Sequence, residues 1–244
     1  MLELWSVAIA VAGLFFAGIL KGATGLGYAS CALPFLVLSL GLKPAMALVV
    51  IPAMATNVGV AVATGHVLQS VTAFAGLYLS IIPGVIVGVW LLVWVDQAVA
   101  VQVLGTSIVA YVVVALMRPN LSLPAQWQAA LQVPTGFCNG VLSGLTGSQV
   151  MPLFPYMMSL RLPPDRMVQA VNLAVLLTSS ILIVGLLTSG IMAWPMLALS
   201  IVAIIPALLG VSIGVKARRA ISERQFRTVV LFVLGLLGIL LLAR

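Results

Sequence analysis

The chain consists of long apolar runs separated by short polar interruptions. Six runs are long enough to cross a hydrocarbon core, which takes roughly 20 residues. They cover residues 44–64, 70–94, 98–117, 167–188, 191–215 and 227–243. Hydrophobic residues make up 63% of the 244 residues and charged residues only 6%, whereas about 25% of a soluble domain is charged. The pattern predicts an all-α polytopic membrane protein.

Each half of the chain opens on two apolar pieces that are too short to cross a bilayer singly and are separated by a glycine-rich break. The pieces cover 5–20 and 26–40 in the first half, and 127–142 and 148–160 in the second. A re-entrant hairpin in each half would give inverted halves, whereas one long broken crossing would give parallel halves. We favour the hairpin, because about 36 residues is too much helix for one crossing.

An internal repeat divides the chain in two. Residues 18–25 match residues 140–147 at an offset of 122, in the shared frame GxLxGxTG. Further matches keep the same order, and residues 81–83 (Ile-Ile-Pro) recur as 204–206. Matches in a constant order argue against coincidence. We therefore predict two homologous membrane repeats, 1–120 and 121–244, each a broken hairpin followed by three transmembrane helices.

The formal net charge of +7 reflects membrane orientation rather than a nucleic-acid surface. Five basic residues fall in one connecting loop: Lys216, Arg218, Arg219, Arg224 and Arg227. Because basic loops stay on the cytoplasmic side, this loop is expected to be cytoplasmic. Both topologies then place the N- and C-termini outside. The expected partners are the lipid bilayer and a small substrate, with no nucleic acid.

Acidic residues are confined to predicted helix ends and loops. They are Glu3, Asp96, Asp165 and Glu223. No carboxylate therefore lies within a span to relay protons or hold sodium, which argues against carboxylate-based ion coupling. The sequence also lacks the paired carboxylates, histidine cluster or nucleophile–base arrangement that an intramembrane enzyme needs. We expect no catalytic residues, no metal site and no cofactor.

The two glycine-rich breaks, at residues 21–27 and 143–149, carry the candidate chemistry. A helix interrupted within a membrane leaves backbone groups unpaired, which is tolerated where they line a cavity. A helix that restarts there offers free N–H groups and a positive dipole end to an anion. The candidate substrate-binding residues are Lys21, Gly22, Thr24, Gly25, Gly27, Asn57, Asn139, Gly144, Thr146, Gly147, Ser148, Gln149 and Asn172.

These residues also have structural interpretations. Glycine-rich stretches in membrane helices often serve only close helix packing, the role we expect for Gly84, Gly88, Gly210 and Gly214. Lys21 could extend to the membrane interface instead of placing its charge beside the first break. The amides of Asn57, Asn139 and Asn172 could line a cavity or bridge helices.

The glycine and proline pattern resembles the sulfite exporter TauE/SafE family. The matching residues are Lys21-Gly22-Ala-Thr24-Gly25-Leu-Gly27, then Pro34, then residues 40–45 (Leu-Gly-Leu-Lys-Pro-Ala), with a second copy beginning Gly140-x-x-x-Gly144. The resemblance covers essentially the whole chain. It implies a bacterial inner-membrane transporter of sulfite, sulfoacetate, other organosulfur compounds or small carboxylates. The second copy departs from the pattern in carrying Ser148-Gln149 where glycine is expected.

The leading hypothesis is an exporter of a small oxyanion that works by alternating access, with its site near the membrane midplane between the two breaks. An anion channel and a non-transporting membrane subunit of a larger complex are the alternatives.

Overall fold

The computed structural model describes residues 4–25, 27–64, 67–117, 121–217 and 223–243. Its regular structure within these residues is entirely helical. The helices are α1 (Leu4–Thr24), α2 (Tyr28–Leu40), α3 (Leu42–Thr64), α4 (Val67–Ala73), α5 (Ala75–Trp94), α6 (Gln97–Met117), α7 (Ala125–Gln128), α8 (Gln132–Thr146), α9 (Leu153–Ser159), α10 (Pro164–Thr188), α11 (Trp194–Val202), α12 (Ile204–Ala217) and α13 (Glu223–Leu242).

Six helical stretches in the described residues are long and apolar enough to cross a membrane. Five of them correspond to predicted runs: α3, α5, α6, α10 and the pair α11–α12. The sixth predicted run, 227–243, corresponds to α13, whose apolar part Val230–Leu242 is shorter than a full span. Five of the six predicted runs therefore form helices of the length and hydropathy that a membrane span requires.

The first helix differs from its prediction. The piece 5–20 was expected to be too short to cross alone, but α1 continues to Thr24 and its segment Val7–Thr24 has the length and hydropathy of a full span. The expectation was wrong because Gly22 does not break the helix: it lies against α12, and the α-helical hydrogen-bond pattern extends to Gly25 N–H, which donates to the Lys21 carbonyl at 2.7 Å.

The chain turns between α1 and α2, and the two helices pack against each other. Gly25 and Gly27 both adopt left-handed backbone conformations, with φ of 78° and 82°, which glycine enters without the steric cost that a side chain brings. The break therefore begins at Gly25, whereas residues 21–24 belong to α1. In the second half, α8 ends at Thr146 and Gly147 takes the left-handed conformation.

The closest helix contacts join the two halves of the chain through glycines. A Cβ on Gly18 of α1 would overlap the Ala207 carbonyl of α12 and lie 3.0 Å from the Cα of Gly210. A Cβ on Gly88 of α5 would likewise overlap the Val141 carbonyl of α8 and lie 2.8 Å from the Cα of Gly144. Each of these helix pairs is thus in backbone contact, as small-residue interfaces in membranes allow.

The contacts confirm the packing role predicted for four glycines, Gly84, Gly88, Gly210 and Gly214. Other pairs of helices, among them α3 with α10 and α6 with α13, also join the halves. The halves are therefore interlocked, and α3 and α10 carry the polar residues described below.

Replacing Gly140 by alanine tests the glycine contacts. Its Cβ would lie 2.6 Å from the Ile81 carbonyl oxygen and 2.9 Å from the Cα of Gly84, so α5 and α8 must separate. We expect Gly140→Ala to lower the free energy of unfolding by about 1–3 kcal/mol, measured by thermal or denaturant unfolding in detergent. Gly59→Ala is the matched control, because a Cβ at Gly59 meets no atom within 4 Å. Equal effects of the two substitutions would contradict the packing interpretation.

Candidate functional site

Lys21 is buried in the interior and joins three helices. It lies in the last turn of α1 and is only 2% exposed. Its Nζ donates to Asn57 Oδ1 of α3 at 2.6 Å and to Asn172 Oδ1 of α10 at 2.7 Å. Lys21 therefore does not extend to the membrane interface, and the two amides bridge helices through it.

Each asparagine presents its oxygen to Lys21 because its nitrogen is already engaged. Asn57 Nδ2 donates to the Ala53 carbonyl at 2.6 Å, and Asn172 Nδ2 donates to the Val168 carbonyl at 2.6 Å. Asn172 Nδ2 also lies 3.5 Å from the Gly25 carbonyl oxygen. The Lys21 cluster, defined as Lys21, Asn57 and Asn172, thus adjoins the first break.

The Lys21 cluster contains no carboxylate. Among the described side chains, Asp96 is exposed and accepts the Ala98 N–H, and Asp165 is exposed at the start of α10. The side chains of Glu3 and Glu223 lie outside the described residues. Burial of a charged group costs several kcal/mol, and neutral amide oxygens offset only part of that cost. As an ammonium, Lys21 has three N–H donors, of which two are used here, so its charged form favours an additional, negatively charged partner.

Backbone donors follow the first break, at the start of α2. Gly27 is the N-cap of α2, and as a glycine it provides no side-chain cap for the first N–H groups of the helix. The first N–H groups of a helix have no acceptor within it, and the first intrahelical bond of α2 is from Cys31 N–H to the Gly27 carbonyl at 3.1 Å. α2 has 13 residues and therefore presents a positive dipole end at this break.

The hydroxyls of Thr24 and Thr146, two of the predicted substrate-binding residues, make hydrogen bonds to their own helices. Thr24 Oγ1 donates to the Leu20 carbonyl at 2.8 Å, and Thr146 Oγ1 donates to the Leu142 carbonyl at 2.6 Å. Thr146 Oγ1 also accepts the Ser148 N–H at 3.2 Å. The two threonines of the repeated frame therefore make the same bond, and both stabilise helix ends at the breaks.

The two breaks meet through serine side chains. Ser148 Oγ lies 3.4 Å from Ser30 Oγ of α2, and Gln149 Nε2 lies 3.4 Å from Ser179 Oγ of α10. Residues 143–150 are all buried. Ser30 and Ser179 were absent from the predicted site. The polar triplet of residues 178–180 within an otherwise apolar span was the signal that could have found Ser179.

The remaining predicted residues have other surroundings. Gly22 and Gly144 face neighbouring backbones, where added Cβ atoms would overlap the carbonyls of Val211 and Val85. Asn139 is fully buried, and neither atom of its amide has a hydrogen-bond partner in the part of the chain that the structure describes. The structure therefore brings Lys21, Asn57 and Asn172 together with Gly25, and Ser148 and Gln149 together with Ser30 and Ser179.

Comparison with known proteins identifies one family. A model of the family described as "Sulfite exporter TauE/SafE" matches residues 9–241, nearly the whole chain. No curated protein and no solved structure matches the chain.

Two asparagine-to-leucine substitutions of similar volume test the Lys21 cluster. Asn172→Leu removes one of the two acceptors of Lys21, and we expect it to lower the free energy of unfolding by about 1–3 kcal/mol. Asn139→Leu removes an amide without a partner, so we expect no loss or a small gain in stability. Denaturant unfolding of the two purified variants beside the wild type measures the difference. Equal losses would contradict the role assigned to Asn172.

Proposed function

The chain belongs to the sulfite exporter TauE/SafE family, which implies a membrane transporter of sulfite or related anions. On that premise we propose that it exports sulfite, sulfoacetate or a related organosulfur anion across a bacterial inner membrane. The observation that carries the proposal is the burial of Lys21, whose hydrogen-bond partners in the described residues are two neutral amides.

The charge at Lys21 supports an anionic substrate. The described residues provide no carboxylate beside it, and an ion pair inside a low-dielectric interior is far stronger than one in water. A substrate anion would therefore supply the missing negative charge and accept a hydrogen bond from the third N–H of Lys21. An intramembrane ionisable residue is by default a functional-site hypothesis, and here its surroundings give the sign of the ligand.

The breaks support a small oxyanion in particular. The start of α2 offers N–H donors with no side-chain cap, and the hydroxyls of Ser30 and Ser148 adjoin it. These N–H and hydroxyl donors, together with the charge of Lys21, suit a small anion whose several oxygens can each accept a hydrogen bond. Gly25 and Gly27 leave the backbone open, since no described atom beyond their chain neighbours comes closer than 3.7 Å to a Cβ built at either residue.

The order of the helices supports the two proposed repeats, 1–120 and 121–244. Apart from the short helix α7 in the second half, each half has a helix pair at a glycine break, a span, a second span interrupted by one non-helical residue, and a final helix. The interrupting residues are Phe74 and Ala203. In each half the opening helix packs on the interrupted span of the other half. We propose that these two glycine-joined pairs move as rigid bodies, so that the buried site opens to each side in turn.

The proposal includes an orientation of the chain in the membrane. The basic loop at 216–227 would lie in the cytoplasm, and the termini outside. Arg218 and Arg219 lie outside the described residues, as do the side chains of Arg224 and Arg227.

Thermal stabilisation by anions tests the binding site directly. A ligand that binds only the folded state raises its stability, so we expect choline salts of sulfite or sulfoacetate to raise the unfolding temperature of the purified protein above that in choline chloride. Lys21→Met should abolish the response. The exposed Lys216 provides the control, since Lys216→Met should respond as the wild type does.

Anion flux into proteoliposomes should follow the same pattern across the variants, with saturable counterflow as expected for a carrier. Absence of both stabilisation and flux in the wild type would contradict transport and favour the membrane-subunit alternative. Flux without saturation or counterflow would favour a channel.

Asn57→Asp gives a prediction of the opposite sign. The new carboxylate would lie beside Lys21, where the Asn57 amide oxygen now accepts at 2.6 Å, and would supply an internal counter-ion. We expect the new ion pair to outweigh the loss of the Asn57 Nδ2 bond to the Ala53 carbonyl, so that the variant is more stable than the wild type without anions, by about 1 kcal/mol. We also expect it to respond much less to sulfite. The unfolding temperature with and without the anion measures both effects. An unchanged response to sulfite would count against competition at Lys21.

A further inference from the structure

Ser143 occupies the position in the second half that Lys21 occupies in the first. The two residues stand 122 positions apart in the frame GxLxGxTG. They also have the same backbone environment. The Lys21 carbonyl accepts the N–H of Gly25 at 2.7 Å, and the Ser143 carbonyl accepts the N–H of Gly147 at 2.8 Å. Each residue thus lies in the last turn of a helix that ends at a glycine.

The two helix ends differ in their charge. The C-terminal end of a helix carries a partial negative charge that a cation stabilises. At the end of α1 the ammonium of Lys21 meets this requirement. At the end of α8 no basic side chain lies in the last turn, and the polar groups there are neutral.

These groups form a second-half oxygen cluster, consisting of Ser143, Gln149, Ser179 and the backbone carbonyl of Ser148, and the side chains of these residues are at most 4% exposed. Ser143 Oγ donates to the Ser148 carbonyl at 3.1 Å, and the side chain of the next residue, Gln149, reaches Ser179. Apart from the Gln149 amide nitrogen, the side-chain polar atoms of the cluster are all oxygens.

The hydrogen bonds of the cluster are incomplete. Gln149 Oε1 is buried and has no hydrogen-bond partner among the described residues, and the contact from Gln149 to Ser179 is long, at 3.4 Å. In the Lys21 cluster, in contrast, Lys21 Nζ makes short hydrogen bonds of 2.6 and 2.7 Å to the two asparagine oxygens. Buried polar groups are nearly always paired, so exceptions require an explanation. The unpaired amide atom is an acceptor, which calls for a positively charged or donating guest.

We propose that the second-half oxygen cluster binds a monovalent hard cation of the Na⁺ class, which takes the place at the end of α8 that the Lys21 ammonium takes at the end of α1. Neutral oxygens and the C-terminal ends of broken helices hold Na⁺ in transporters of this general design. An anion does not fit, because the cluster has no cationic side chain. The described residues contain no group of three His, Cys, Asp or Glu, the ligand types on which Ca²⁺ and transition metals rely.

The cation would act as the coupling ion for the anion. That role rests on the proposed function, although cation binding itself does not. A divalent anion such as sulfite carries two charges, of which Lys21 neutralises one. A cation at the neighbouring break would neutralise the second, so the occupied protein would carry no net charge at the two sites when it changes conformation. Sequence reasoning argued only against coupling through carboxylates, and this site uses none.

The experiment measures thermal unfolding of the purified protein without any substrate anion, as choline chloride is replaced by NaCl at constant chloride. We expect the unfolding temperature to rise with Na⁺. Ser179→Ala should raise the Na⁺ concentration for half-maximal stabilisation by about tenfold, as the loss of one ligand implies. Gln149→Glu should lower that concentration, because it adds a carboxylate oxygen. Ser200→Ala is the control, since Ser200 is buried but donates to the Leu48 carbonyl away from the cluster. Binding of radioactive ²²Na⁺ to the same proteins provides the second readout.

A wild-type protein that responds to Na⁺ no more than to choline, and binds no ²²Na⁺, would overturn the proposal. So would an Na⁺ response that Ser179→Ala and Gln149→Glu both leave unchanged. Neither result would affect the anion response measured in choline salts, which tests the proposed function separately. Conversely, Na⁺ binding without any anion response would support the cation site and contradict the transport proposal.

Discussion

The burial of a lysine ammonium between two asparagine oxygens is the interaction on which the interior of this protein depends. Lys21 ties α1 to α3 and α10, and each asparagine is held by a bond to its own helix. Lys21 Nζ therefore has hydrogen-bond partners, but its positive charge has no counter-ion among the described residues. In a bilayer that imbalance is costly. A structure that keeps it is therefore suited to receive and release a negative charge.

Glycine has two separate roles around this charge. Gly18, Gly22 and their counterparts in α12 bring backbones into contact, which holds α1 in register so that Lys21 faces inward. Gly25 and Gly27 instead take the left-handed conformation and end the helix beside the lysine. The same frame in α8 has the same two roles but carries Ser143 in place of lysine. One architecture thus places a basic residue in the last turn of α1 and neutral polar residues at the end of α8.

The spans were predictable from the sequence because apolar runs report directly on helix length. The partners of Lys21 were not, although all three residues were candidates: Asn172 is 151 residues away, and the contact depends on how α3 packs against α10. The end of α1 was misjudged because the sequence alone does not tell a glycine that packs from one that breaks a helix. Ser30 and Ser179 were missed because single hydroxyls are common in membrane helices, where they usually bond to their own backbone.

Anomalous X-ray diffraction from crystals grown with selenite, a heavier analogue of sulfite, tests the central claim most directly. Selenium identifies the anion without reference to the protein density. The account predicts an anomalous peak adjacent to Lys21 Nζ, between the break at Gly25–Gly27 and the break that begins at Gly147. A selenite peak elsewhere in the protein, with Lys21 still bonded only to Asn57 and Asn172, would contradict it.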